Sequence, residues 1–160
     1  MSLYGLLDER SDASVHRSIS DLTPLLSDPR YNELLLLGGD LNPLWSVQVG
    51  RMALSRVQGV FDRIIDGFGL KDLLQRTLSK QDPPRGRLEN CTRSIEDECT
   101  HVRSFRTGMT ATDACQDDYL FASPALEERL AECLAVDFAE DSPSDDVPVV
   151  ATFSGFEETL

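Results

Sequence analysis

The chain has 160 residues, 41% of them hydrophobic, which is enough for one domain with a buried core and argues against wholesale disorder. Acids outnumber bases 28 to 15, for a net charge of −13, and that balance repels a polyanion at long range. The longest apolar run, Leu34 to Leu37, is far too short to span a bilayer, so no membrane partner is expected.

In chain order, Ser2 to Leu7 is apolar and begins almost at the first residue, so the chain opens inside an element. The same stretch lacks a basic n-region and reaches Asp8 and Glu9 at once. It is therefore not read as a signal peptide, and a cytoplasmic location is expected. Val15, Ile19, Leu22 and Leu26 recur every three to four residues and predict an amphipathic helix over 12–27, with Pro24 disturbing its end. Asp28 to Asn32 reads as a turn. Glu33 to Gly38 reads as a fully buried strand, because its leucines show no polar alternation.

Gly39 to Gly50 reads as a loop. Met52, Leu54, Val57, Val60, Phe61, Ile64 and Ile65 then suit a second helix, closed by Asp66 to Gly69 and followed by another helical turn or two over 70–78. Gln81 to Arg87, with Pro83, Pro84 and Gly86, is the clearest loop signal, and it opens a loop region over 81–99 inside a single domain of 1–160. Thr100 to Arg106 and Asp118 to Ala122 read as strands. Ser123 and Pro124 mark a helix start, N-cap followed by first helical residue, with Leu126, Leu130, Cys133 and Leu134 as its inner face. An acidic loop from Glu140 to Asp146 leads into a closing strand, Val147 to Phe153. Strands alternating with helices argue for an α/β or α+β layered fold.

Five arginines (Arg85, Arg87, Arg93, Arg103 and Arg106) cluster mid-chain, and a solvated surface is favoured over a basic binding patch. Cys91, Cys99, Cys115 and Cys133 fit free or buried thiols better than a disulfide framework. Cys91, Cys99, His101 and Cys115 could be joined in a zinc site, but they lack paired Cys-x2-Cys knuckles, so ordinary thiols and a surface histidine are expected. The other histidine, His16, lies among polar helix positions and reads as solvated.

Three segments place an acid or amide at one end of an apolar, strand-like run: 34–42, 116–123 and 144–150. Leaving its sheet through Gly38 and Gly39, the first presents Asp40 and Asn42 on one side, able to orient a water and contact a phosphoryl oxygen. They serve equally well as turn formers on this reading. In the second segment, Asp118-Tyr119 opens a strand whose Tyr119, Leu120 and Phe121 also suit a core. The third reads Ser144-Asp145-Asp146-Val147-Pro148-Val149.

In this order the segments resemble the C-terminal half of the endonuclease/exonuclease/phosphatase superfamily, metal-dependent phosphohydrolases with a pancreatic-DNase-like fold. The resemblance covers nearly all 160 residues. It implies an α/β chain of the α+β sandwich type: half of a four-layer β-sandwich flanked by helices, with one mostly antiparallel sheet and helices on one face. It also implies that Asp40 positions the attacking water, that Asn42 holds the scissile phosphate, and that Asp118 orients a catalytic histidine. Where the family has Ser-Asp-His, this chain has Asp146 in the histidine's place, and where the family carries an apolar residue before Asp-Tyr it has Asp117.

The implied cofactor is Mg²⁺ or Mn²⁺, with Asp40 and Asp145 as metal ligands, since hard cations take oxygen donors. The implied substrate is a phosphodiester or phosphomonoester. The family's N-terminal half supplies an Asn and the main metal-binding Glu, and nothing before Gly38 matches either. The resemblance therefore implies a complementary N-terminal half, or self-association through an exposed sheet face. The alternative is a non-catalytic interaction module or gene remnant of the same fold.

Overall fold

The computed structural model describes residues 1–5, 11–42, 58–78, 80, 101–106, 114–136, 144 and 146–156. Its main sheet has four strands in the order β1 (Ser2–Tyr4), β2 (Leu36–Asp40), β6 (Asp118–Ala122) and β3 (Lys71–Asp72). β1 runs parallel to β2, while β2–β6 and β6–β3 are antiparallel. Two short ribbons join β4 (Phe105–Arg106) to β5 (Ala114–Cys115) and β7 (Leu130–Ala135) to β8 (Val149–Phe153). The helices are α1 (Ser11–Leu26), α2 (Pro29–Asn32), α3 (58–67, ending in a π turn over Arg63–Gly67), α4 (Leu73–Leu78) and α5 (Pro124–Glu127). The result is a mixed α/β sandwich, as the sequence implies.

Side-chain alternation gives the main sheet two unlike faces. Leu3, Leu37, Tyr119 and Phe121 point to one face, where they pack with Val15, Ile19 and Leu26 of α1 and Val60, Phe61 and Ile64 of α3. The Tyr119 ring stacks on Phe121 and meets Phe61 edge-on at 4.9 Å between centroids, in the geometry aromatic quadrupoles favour. Leu36, Leu120 and Ala122 point to the other face and join a second core with Leu73, Leu74, Leu78, Leu126 and Cys133. That face is thus met in part by α4 and β7, so structure lies on both sides of the sheet.

Several elements differ from the sequence reading, each for a local reason. Pro24 sits inside α1, which runs on to Leu26. Residues 29–32 form a helical turn rather than a plain one, with Asp28 as N-cap accepting from the Arg30 amide at 3.0 Å. β2 begins at Leu36 and includes Gly39 and Asp40. Leu34 is 54% exposed and Leu36 half-buried, so the leucine run is not wholly buried. α5 stops at Glu127, and the stretch carrying Leu130, Cys133 and Leu134 is strand β7, paired along β8. Of the expected strand over Thr100 to Arg106, Thr100 lies outside the described residues, and within 101–106 only Phe105–Arg106 is regular strand. The loop over 81–99 lies outside the described residues.

The glycine pair has a steric reason. Gly39 adopts φ 145°, and a Cβ there would overlap the Leu3 carbonyl oxygen of β1; a Cβ on Gly38 would meet Leu120 across β6. Glycine lets both neighbours close on β2. The other end of β2 is tied by Ser123. Its backbone takes the N-cap conformation and its carbonyl accepts from Leu126 and Glu127. Its hydroxyl does not cap; it donates to the Glu33 carbonyl at 2.9 Å and accepts from the Leu35 amide at 3.2 Å. Ser123→Ala leaves the buried Leu35 amide unpaired and is expected to cost about 1–3 kcal/mol, read as a lower urea midpoint with an unchanged slope.

Candidate functional site at the strand ends

The register that buries Tyr119 and Phe121 on one face fixes what stands at the strand ends on the other. Asp40, the last residue of β2, is the direct partner of Asp118, the first residue of β6, and Tyr4 of β1 is the direct partner of Asp40. Directly opposed residues share a face. Two carboxyl groups therefore lie side by side at the ends of the two central strands, next to Tyr4, which is 59% exposed.

Asn42 holds Asp40 in place. Its backbone amide donates to Asp40 Oδ1 at 2.9 Å and its Nδ2 to Oδ2 at 2.7 Å. The second Nδ2 hydrogen goes to the Gly5 carbonyl at 2.9 Å, tying the site to the end of β1. Asn42 takes a left-handed backbone with φ 42°, which asparagine tolerates better than most residues. With both amide hydrogens engaged, Asn42 acts here as a clamp on Asp40.

Ser104, fully buried, organises the Asp117–Asp118 step by accepting from both backbone amides at 3.0 Å. The buried Gln116 accepts from Val102 N at 3.2 Å and donates to the Asp118 carbonyl, while the Tyr119 hydroxyl donates to the Gln116 carbonyl. Asp146 arrives by another route: it bridges Phe105 in antiparallel fashion, and the Val147 amide donates to the Ser104 carbonyl at 2.8 Å. Asp40, Asp117, Asp118 and Asp146 consequently lie within electrostatic range of one another.

The electrostatics follow from that crowding. Burial, opposed by the Ser104 hydrogen bond and reinforced by the charges of Asp146, Asp40 and Asp117, pushes the Asp118 carboxyl up to about 6. Asp40 is also raised, first by burial and then by Asp117 and Asp146, against the lowering effect of its Asn42 hydrogen bonds. Asp118 Oδ2 is buried and meets no hydrogen-bond partner among the described residues. An acceptor in that state is satisfied by a proton, a water or a cation.

The structure thus brings together Asp40, Asn42, Asp118 and Asp146 of the residues singled out in the sequence. Asp145, the second expected metal ligand, lies outside the described residues. Sequence reasoning missed Ser104, for which no signal existed, and gave Asp117 no role, although the Asp-Asp doublet at a strand start marked it. Of the zinc candidates, Cys91, Cys99 and the Cys115 side chain lie outside the described residues, and His101 is half-buried. Cys133 is a buried free thiol, pushed up to about 12 chiefly by burial.

Among the described residues no three His, Cys, Asp or Glu side chains converge as a metal cage. Mg²⁺ does not require one: it is commonly held by one or two carboxylates, waters and the substrate's own oxygens. Two adjacent carboxyl groups, one with an orphaned buried oxygen, fit such an open site. Also among the described residues, no helix is long and apolar enough to cross a membrane.

The layers are those of a nuclease-like fold. The chain is similar to the structure of an AP endonuclease from Archaeoglobus fulgidus, with a TM-score of 0.59 and 14% identity. The match covers 95% of this chain and 58% of that one, so this chain spans little more than half the length of the protein it matches. At that identity the likeness concerns the fold. No protein-family model matches the chain, and no curated protein matches it in sequence.

The Asp118 carboxyl is expected to titrate near pH 6 by carbon-13 NMR, and Asp146→Asn to move that midpoint down by removing a like charge. The linkage has a definite sign. A carboxyl raised in the folded state favours folding less as pH climbs from its ordinary 3.8 through about 6. The stability of Asp118→Asn relative to the parent should therefore grow across that window and level off above it, as followed by urea unfolding at several pH values.

Proposed function

We propose that this chain is a divalent-cation-dependent phosphoester hydrolase of the nuclease/phosphatase type, with its site at Asp40, Asn42 and Asp118. The observation that carries the reading is the pairing of Asp40 with Asp118 on one sheet face at the strand ends, with Asp118 Oδ2 lacking a donor. The likeness of fold to an AP endonuclease supports the class, and the Gly-Asp-Leu-Asn segment supports the assignment of roles.

On this reading Asp40, Asp118 and Asp145 hold Mg²⁺ or Mn²⁺. The bound ion supplies charge neutralisation at the phosphoryl oxygens and allows a polyanionic ester to enter an acidic site. Asp40, with both oxygens aimed by Asn42, orients the attacking water. Asn42 contacts the phosphate only if its amide releases Gly5 or Asp40. Asp146 is an acid where the resembling family has histidine, so it offers no cationic contact. It also adds to the charge that raises Asp118 and Asp40. The site is therefore a slow one. Acidic overall charge favours a nucleotide, a lipid head group or a short end over long duplex DNA.

A second reading is a non-catalytic interaction module of the same fold, paired with a complementary half or with its own copy. Asp146 in the histidine's place favours it, and so do the exposed Met1, Tyr4, Leu34 and Val150.

Hydrolysis of bis(p-nitrophenyl) phosphate with Mg²⁺ or Mn²⁺ separates the two. The hydrolase reading expects slow turnover that is lost with EDTA and with Asp40→Ala. It also expects Asp146→His to raise the rate by about tenfold or more, since a positioned general base or electrostatic contact is worth roughly that much or above. Turnover no greater than that of Asp40→Ala, unimproved by Asp146→His, supports the module instead.

A further inference from the structure

Gly5, the residue after β1, commits both of its backbone groups to the strand-end site. Its amide donates to the Asp40 carbonyl at 2.8 Å, and its carbonyl accepts from Asn42 Nδ2 at 2.9 Å. One bond grips the backbone of Asp40 and the other the side chain of Asn42. Leu41, between them, donates its amide to the Asp117 carbonyl at 2.9 Å. The 40–42 turn is therefore held from the end of β1 on one side and from the segment entering β6 on the other.

The Gly5 carbonyl also fixes which way round the Asn42 amide lies. An asparagine amide can turn by half a revolution and exchange its oxygen for its nitrogen, and only its partners decide between the two. Here both partners are acceptors, the Gly5 carbonyl and the Asp40 carboxylate. Each takes one Nδ2 hydrogen, at 2.9 and 2.7 Å, and the reverse orientation would set Oδ1 against two oxygens. Without the Gly5 bond the amide is held at one point and can rotate, and the carboxylate it grips is free to rotate with it.

The close approach admits only glycine. A Cβ at Gly5 would overlap the Leu41 carbonyl oxygen and would lie 2.6 Å from the carbonyl carbon and 3.3 Å from the Asn42 amide nitrogen. All three are backbone atoms, so no side-chain rotation relieves the overlap. We infer that Gly5 is a positioning residue of the site: its carbonyl sets the rotation of the Asn42 amide and, through it, the direction of the Asp40 carboxylate. What the aimed carboxylate then does rests on the hydrolase reading given above. Through this link a shift of β1 against β2 reaches the Asp40 carboxylate without touching it.

The test uses the full chain labelled with nitrogen-15 and carbon-13, beside hydrolysis of bis(p-nitrophenyl) phosphate with Mn²⁺. In the parent the two Asn42 Nδ2 hydrogens are expected as separate resonances that exchange slowly with water. Gly5→Ala should bring them toward free-amide values, move the Asp40 carboxyl carbon, and lower kcat by about fivefold or more with KM little changed, the scale of one lost hydrogen bond. A role confined to stability would lower the urea midpoint and leave kcat alone. In the Asn42→Ala background, Gly5→Ala should cost no further activity, because the link it breaks is already gone. If Gly5→Ala does not fold, an ester in place of the peptide bond after Gly5 keeps the shape, weakens the carbonyl as an acceptor and gives the same readouts. Asn42 resonances that stay in place, a parent-like kcat despite a released amide, or losses that multiply in the double variant overturn the inference. If the parent shows no turnover, a released amide with a displaced Asp40 carboxyl resonance in Gly5→Ala sustains the positioning and counts against the hydrolase reading. EDTA-sensitive turnover with both resonances unmoved in Gly5→Ala overturns the inference and leaves that reading standing.

Discussion

Two aspartates face each other across neighbouring antiparallel strands, and most of the local structure is arranged around that juxtaposition. Like charges directly opposed in a sheet are destabilising, and here burial compounds the cost for Asp118 and Asp40. Asn42 offsets it at Asp40 with two hydrogen bonds, and Ser104 offsets it at Asp118. Asp117 and Asp146 work in the other direction. Carboxyl groups gathered at strand ends against their own repulsion make this a candidate site, since functional centres commonly carry that cost.

That juxtaposition depends in turn on features several residues away. The register of β2 on β6 is pinned from the helix-covered face, where Leu37 opposes Phe121, and Tyr119 opposes Gly39 so that its ring meets Phe61. A slip of one residue would move Asp40 and Asp118 to the face packed against α1 and α3 and take the aromatics off it, so the core chooses the geometry of the strand ends. Gly38 and Gly39 let β1 and β6 close on β2, and Ser123 ties the far end. The chemistry of the strand ends is thus held by packing that touches none of it.

Much of this was legible in the residues. The spacing of Val15, Ile19, Leu22 and Leu26 marked α1, and the Asp-Tyr-Leu-Phe-Ala run marked β6, because each pattern matches the period of the element that buries it. Gly-Gly-Asp-Leu-Asn marked a strand leaving its sheet with an acid and an amide, and the structure places both at the end of β2, bonded to each other. The 126–135 region was not legible: Leu126, Leu130, Cys133 and Leu134 carry helical spacing in good helix formers. The gain from pairing with β8 and from the Cys133 amide bonding Thr77 Oγ1 outweighs that local preference. Ser104 was hidden for a different reason, since its importance comes from hydrogen bonds with the Asp117, Asp118 and Val147 amides that only the folded chain creates.

The central claim is that the Asp40–Asp118 pair is the place where this chain meets a divalent cation. Mn²⁺ titration followed by paramagnetic broadening of backbone amides tests it most directly, with Asp118→Asn as the comparison. At low Mn²⁺ the account expects broadening confined to the amides around Tyr4–Gly5, Asp40–Asn42 and Asp117–Tyr119, and its loss in the variant. Broadening spread over the acidic surface, or centred elsewhere and unchanged in Asp118→Asn, would contradict it.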